Sequence, residues 1–172
     1  MKKVAVFLAT WCYSGLIPPV LVKGIAGTYG SLAALPLCYL ALKAGQSANC
    51  LYILILIAVF LIGYWCVPLA EFELGPMIDW GGKIRSTDQN QIVIDEVLGM
   101  LISCAPLIWL KTIPLFWELL IAFILFRMFD ALKPWPVSYF DRQKNHIGVM
   151  LDDAGAGLYA AVGLILTLQV FK

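Results

Sequence analysis

The chain has 172 residues, of which 62% are hydrophobic and 13% charged, with a net charge of +1 and a mean hydropathy of +0.87. This composition excludes an ordinary water-soluble domain, and the near-neutral charge excludes a nucleic acid as partner. The length fits one helical membrane domain over residues 1–172 and leaves no room for a second folded unit.

The first apolar segments along the chain are short or interrupted. Val4–Val22 contains Gly15 and the pair Pro18–Pro19, so we expect it to fold back instead of crossing a bilayer. The next segment, Leu32–Leu42, is shorter than the ~20 residues that a helical crossing needs. These two segments predict a re-entrant or interfacial helical hairpin at the N-terminus.

The later apolar segments are long enough to cross. Leu51–Ala70 carries no charge, and the polar stretch Glu71–Gln91 separates it from Ile92–Leu110. Ile113–Leu132 and Val149–Phe171 complete the series. The predicted fold is therefore all-α, a polytopic helical membrane protein with about four full spans in addition to the N-terminal hairpin.

Ionisable side chains lie at the ends of the last three apolar segments. They are Asp95, Glu96, Arg127, Asp130, Lys133, Asp152 and Asp153. If these segments each cross, the start of the fourth, the end of the fifth and the start of the sixth share one face. Such groups can simply pair with one another among lipid headgroups, but a cluster of this size on one face favours a functional site.

The chemistry of this cluster suits a metal ion and a phosphate group. Carboxylates at a water-accessible edge favour Mg²⁺, so the five acids are predicted as metal ligands and catalytic groups. Arg127 and Lys133 are predicted to bind phosphate oxygens, since Arg127 and Asp130 share a helix face and Lys133 continues the row. The cluster therefore predicts metal-assisted phosphoryl transfer or hydrolysis.

Two rival classes stand beside a metal-dependent phosphatase, namely a different lipid enzyme and a transporter. The first, a phosphatidyltransferase, is not supported, because the chain has no D-x-x-D-G-x-x-A-R-type sequence. A membrane transporter or channel could use a carboxylate cluster for cation passage, but its charges are expected near mid-span. A cysteine-dependent phosphatase is excluded, because none of the cysteines has an arginine six residues later.

A second candidate site lies in the loop before the second apolar segment. Gly27, Thr28, Gly30 and Ser31 could bind phosphate through backbone N–H groups at a helix start, or Ser31 could merely cap that helix. His146, the sole histidine, is expected on a solvated loop.

Basic residues indicate which side of the membrane the clustered charges face. The face with the charged motifs would carry Lys23, Lys83, Arg85, Arg127, Lys133, Arg142 and Lys144. The opposite face would carry Lys43, Lys111 and Lys172, with Lys2 and Lys3 if the first segment crosses. The positive-inside tendency therefore predicts a cytoplasmic site.

With these motifs in place, the sequence resembles the phosphatidylglycerophosphatase A family of integral membrane phosphatases. The matching stretches are residues 27–32 leading to Pro36, residues 92–96 with Gly99, residues 126–130 running on to 133–136, Asp141, and residues 148–153 with Ala156 and Gly157.

The resemblance implies Mg²⁺-dependent hydrolysis of the terminal phosphate of phosphatidylglycerophosphate within the bilayer. The products would be phosphatidylglycerol and phosphate, a step of phospholipid biosynthesis. It also implies a multi-pass protein of the bacterial cytoplasmic (inner) membrane.

Overall fold

The computed structural model describes residues 2–17, 26–78, 84–85, 89–109, 116–143 and 145–170. Within these ranges the helices are α1 (Lys2–Ala9), α2 (Ala26–Ser47), α3 (Asn49–Leu74), α4 (Ile94–Cys104), α5 (Pro106–Trp109), α6 (Phe116–Leu132), α7 (Val137–Asp141) and α8 (His146–Val170). A 3₁₀ turn (Ser14–Leu16) follows α1, and the polar stretch forms a small antiparallel ladder of β1 (Met77–Ile78) and β2 (Ile84–Arg85). Apart from that ladder, the all-α prediction is confirmed.

Helix α4 lies at the centre of the fold, and most of its residues are buried. It packs closely against α8 and α6 because small residues occupy the crossing point. A methyl group on Gly157 of α8 would lie 2.5 Å from the carbonyl oxygen of Gly99 in α4. A methyl group on Gly99 would lie 2.4 Å from the ring of Phe126 in α6. Glycine therefore lets the three helices that carry the charged cluster meet.

Two of the described helices, α3 and α8, are long and apolar enough to cross a bilayer. Both present apolar side chains outward, including Leu54 and Leu61 on α3 and Val162 and Leu166 on α8. Such outward faces suit lipid, which needs no polar covering.

The other predicted segments differ from simple spans. The segment Ile92–Leu110 is divided into α4 and the four-residue α5, which begins at Pro106. Helix α6 has 17 residues as described, and residues 110–115, which include Pro114, lie outside the described ranges. The segment Leu32–Leu42 is part of the longer, 22-residue α2. The count of four full spans therefore stays a prediction.

The N-terminal segment lies against the end of α3 and the start of α4. Helix α1 has eight residues and is therefore about 12 Å long, too short to cross. Lys2 pairs with Glu73 at 3.2 Å, and the Val93 N–H donates to the Ala9 carbonyl at 2.9 Å. Both ends of α1 thus lie near one face of the bundle. The expected re-entrant hairpin stays a prediction, because residues 18–25, which would join its two segments, lie outside the described ranges.

Candidate active site

The predicted charged residues come together where α4, α6 and α8 meet. Asp95 and Glu96 lie in the first turn of α4, where the positive end of the helix dipole favours carboxylates. Asp130 lies in the last turn of α6. Helix α8 begins at His146, three residues before the predicted segment, so Asp152 and Asp153 lie in its second turn.

Three of the acids form a compact group, which we call the acid triad: Asp95, Glu96 and Asp153. Each offers a carboxylate oxygen, and these oxygens all lie within 4.8 Å of one another. Asp95 and Asp153 are buried, and Glu96 Oε2 is buried without a hydrogen-bond partner. Within the described part of the chain, no basic side chain forms an ion pair with any of the three. Three hard oxygens therefore lie together without a basic partner among the described residues.

The remaining acids at this junction are already paired with basic side chains, in two groups that we call the ion-paired arms. In the first arm, Arg127 Nη1 lies 2.9 Å from Asp130 Oδ2. In the second, Lys133 Nζ lies 3.0 Å from Asp152 Oδ2 and also contacts Asp141 Oδ1. The five acids predicted as equivalent metal ligands therefore fall into two kinds.

The second arm keeps its lysine charged. Burial alone would lower the pKa of Lys133, but the hydrogen bonds and charges of Asp141 and Asp152 outweigh it and raise that pKa above its ordinary value. Asp152 has a second contact, because its Oδ1 accepts the Asp153 N–H at 3.0 Å. The ammonium is thus held between two carboxylates, which use two of its three N–H donors and offset its charge.

The start of α2 forms one wall of the site. A methyl group on Gly27 would lie 2.2 Å from Glu96 Oε1 and 3.1 Å from Arg127 Nη1, so only glycine leaves those side chains in place. Thr28 lies half-buried in the first described turn of α2, where backbone N–H groups lack partners within the helix.

Ser31 and Gly30 have other roles than those expected for a phosphate loop. The Ser31 hydroxyl donates to the Gly27 carbonyl at 2.7 Å, and Arg127 Nη1 lies 3.5 Å from Ser31 Oγ. Ser31 lies beyond the first turn of α2, so the alternative that it caps the helix is wrong. Gly30 packs closely against Val93, since a methyl group on Gly30 would lie 2.4 Å from the Val93 side chain.

Two residues near the site differ from their predicted surroundings or were not predicted. His146 is the first residue of α8 and not part of a solvated loop. Its Nδ1 lies 3.0 Å from Glu71 Oε2 but is not aligned as a hydrogen bond. Asp141, the last residue of α7, was not predicted as a site residue. The sequence offers it only as one of the residues that match the family, and its contact with Lys133 places it at the site.

The chain is similar in sequence to known proteins. The model of the family "Phosphatidylglycerophosphatase A" matches residues 7–168. Phosphatidylglycerophosphatase A of Haemophilus influenzae is 33% identical over 157 residues, covering 90% of this chain and 83% of the relative. Phosphatidylglycerophosphatase A of Escherichia coli strain K12 is 37% identical over 157 residues, covering 90% of this chain and 77% of the relative. No solved structure matches.

Proposed function

Because the chain belongs to the phosphatidylglycerophosphatase A family, we propose that it removes the terminal phosphate of phosphatidylglycerophosphate with the help of a bound Mg²⁺. The products are phosphatidylglycerol and inorganic phosphate. The enzyme is a phosphatase of phospholipid metabolism, and the acid triad is the observation that supports its dependence on a metal.

The residues of the acid triad fit Mg²⁺. This ion is held by carboxylate oxygens and completes its shell with waters and substrate phosphate. Three carboxylate oxygens lie within 4.8 Å of one another, and the buried Glu96 Oε2 has no hydrogen-bond partner. We assign Asp95, Glu96 and Asp153 as the groups that would hold the ion. Asp130 and Asp152, each already paired with a cation, would act from beside it.

Arg127 is the group that would bind the phosphate. A guanidinium has five N–H donors, and the contacts with Asp130 and Ser31 both use Nη1. The remaining donors are left for phosphate oxygens, while Asp130 fixes the direction of the fork.

The N–H groups of Gly27 and Thr28, in the first described turn of α2, have no acceptor among the described residues of that helix and would favour an anion at the same place. The bound cation would supply neutralisation of phosphate charge and acidify a water molecule. The burial of Asp95 and Asp153 strengthens each of these interactions by excluding bulk water.

We propose that the site faces the cytoplasm at the surface of the bacterial inner membrane. The matched relatives are bacterial, and α3 and α8 are candidate spans. Basic residues are more numerous on the face with the charged motifs. A lipid whose phosphate reaches this boundary can keep its acyl chains in the bilayer during the reaction.

Release of phosphate from phosphatidylglycerophosphate in mixed micelles tests the proposal. Purified protein should release phosphate, lose that activity in excess chelator and regain it with added Mg²⁺. Full activity of dialysed protein in excess chelator would remove the metal from the proposal. Cation flux in proteoliposomes without phosphate release would instead favour the transporter alternative.

A further inference from the structure

We propose that Lys133 is a positioning residue that holds Asp152, and through it the turn of α8 bearing Asp153, and that it does not contact the substrate phosphate. This inference rests on the proposed function, since the group being positioned is the acid triad. It assigns to the second ion-paired arm a role different from the phosphate binding that the sequence predicts.

The contacts of the ammonium are the first step of the argument. Lys133 Nζ contacts Asp141 Oδ1 and lies 3.0 Å from Asp152 Oδ2, so two carboxylates share one cation. Two of the three ammonium donors are thus used, and a phosphate at the third would compete with two carboxylates for one positive charge. Arg127, by contrast, pairs with one carboxylate among the described residues and has five donors.

The backbone at Lys133 is the second step. Its φ of 44° lies in the left-handed region, which is strained for a residue with a β-carbon. Its N–H donates to the Phe129 carbonyl at 2.9 Å and so ends α6, a position where glycine is usual. Glycine would suit this backbone better than lysine. The contacts of the lysine side chain with Asp141 and Asp152 explain why a strained lysine is present here.

The route from Lys133 to the acid triad is the third step. Asp152 Oδ2 accepts a hydrogen bond from the Lys133 ammonium, and Asp152 Oδ1 accepts one from the N–H of Asp153. Asp153 is a member of the triad, and its carbonyl would lie 2.9 Å from a methyl group on Gly99 of α4. The contacts therefore connect Asp141 of α7 through Lys133 and Asp152 to Asp153, the residue that lies against α4. Loss of the ammonium would leave Asp141 and Asp152 to repel each other and would release this turn.

The experiment compares Lys133→Gly, Lys133→Arg and Asp141→Asn in the full-length protein. For each variant, kcat and KM are measured with phosphatidylglycerophosphate in mixed micelles. Binding of Mn²⁺, used as a paramagnetic probe, is followed by EPR without lipid. Lys133→Gly removes the ammonium while it relieves the backbone, so a loss of function is not explained by strain at residue 133. Asp141→Asn leaves the lysine in place and removes only its tether.

A positioning role predicts the following pattern. Lys133→Gly lowers kcat and Mn²⁺ affinity by about 10- to 100-fold, the usual cost of losing a partner that orients a metal ligand. KM stays within about twofold, because substrate binding is unchanged. Asp141→Asn shifts kcat in the same direction but less. Lys133→Arg retains most of the activity, since a guanidinium can also join two carboxylates. The double variant Lys133→Gly/Asp141→Asn resembles Lys133→Gly alone.

Two other patterns would overturn the proposal. A phosphate-binding lysine predicts a raised KM in Lys133→Gly with unchanged Mn²⁺ binding, and an unchanged or lower KM in Asp141→Asn. A purely structural lysine predicts a lower melting temperature in both variants, with normal kcat and Mn²⁺ affinity for the folded fraction.

A matched control and an independent measurement separate this inference from the proposed function. Glu73→Gln removes the exposed Lys2–Glu73 pair, 3.2 Å long and away from the triad, and should change neither kcat nor Mn²⁺ binding. If the wild-type protein released no phosphate from this lipid, the proposed function would fail. The Mn²⁺ comparison would still decide the role of Lys133.

Discussion

The acid triad and the ion-paired arms are built from the same residue types on neighbouring turns, yet they are stabilised in opposite ways. In the arms, Asp130 and Asp152 each contact a basic side chain of α6 or its C-terminal end. In the triad, Asp95, Glu96 and Asp153 have no such partner among the described residues. This difference is why we propose the triad as the place for an external cation, since its negative charge has no basic partner among the described residues.

The two regions also differ in what their charges can contribute to stability. The Arg127–Asp130 pair is partly exposed, with side-chain exposures of 25% and 18%, so it adds little net free energy of folding. The pair instead fixes the orientation of the Arg127 guanidinium beside Glu96. Grouping buried acids without partners is costly, and such a cost is typical of functional sites. We therefore expect changes in the triad to affect catalysis more than changes in the arms.

The largest effect is expected from neutralising one acid in each region. Asp153→Asn should lower kcat/KM by about 1,000-fold, because it removes a charged ligand from the place where the metal stabilises the reacting phosphate. Asp130→Asn should lower kcat/KM by only about 10-fold, because Arg127 keeps its charge and loses only its orientation. Phosphate release under saturating Mg²⁺ measures both variants.

Equal losses in these two variants would break the comparison, since all the acids would then act as one set. A melting temperature measured in detergent serves as the control. Asp153→Asn should not unfold the protein, because removing one of three like charges relieves repulsion.

The meeting of the charged residues was predictable from the sequence, and the reason is simple. Apolar segments show where helices end, and charges such as Asp95 and Asp130 mark those ends. If three consecutive segments cross, alternate ends lie together. Glycine also permits close approach of helices, and Gly99 and Gly157 lie where α4 and α8 meet.

The division of the acids into triad and arms was not predictable in the same way. It depends on how each helix is rotated about its axis and on side-chain contacts between residues far apart, such as Lys133 with Asp152. Asp141 lies in a short helix that no apolar period marks. The break between α4 and α5 depends on Pro106, whose effect inside an apolar segment varies with its neighbours.

The next largest effect is expected at Arg127, the residue of the first ion-paired arm that we propose to bind the substrate phosphate. Arg127→Lys keeps the charge but loses the planar fork, so it cannot hold Asp130 and phosphate oxygens together. We expect kcat/KM to fall by about 10- to 100-fold, the cost of one or two charge-assisted hydrogen bonds. The melting temperature should change little. Unchanged kinetics would remove Arg127 from the phosphate site, and loss of the folded protein would show a structural role instead.

A smaller effect is expected where α2 touches both regions. Gly27→Ala would place its methyl group 2.2 Å from Glu96 Oε1, the mobile tip of a side chain. The fold can therefore accommodate the change by moving Glu96, so we expect a nearly normal melting temperature with kcat lowered about 10-fold.

Gly163→Ala in α8 is the matched control for Gly27→Ala. Its methyl group would meet the Leu125 side chain at 3.4 Å, an ordinary contact, so kcat should stay normal. Normal kcat in both variants would show that Glu96 can move without consequence for the triad.

The smallest effect is expected from substitutions of two native cysteines, which should leave turnover unchanged. They test on which side of the membrane the triad lies. Cys12 and Cys50 are exposed, whereas Cys38, Cys66 and Cys104 are buried and should not react. Cys12 follows α1, whose end bonds to Val93 at the start of α4, and it should therefore lie on the side of the triad.

Cys50 lies in the first turn of α3, at the far end from Glu71, and 26 helical residues span about 39 Å. Two variants, Cys50→Ser and Cys12→Ser, each leave one exposed thiol and should retain full activity. A thiol reagent that cannot cross the cytoplasmic membrane should label Cys50 in intact cells, and Cys12 only after that membrane is opened. The reverse pattern would place the triad and both arms outside the cell. Labelling of both cysteines in intact cells would contradict the crossing of the membrane by α3.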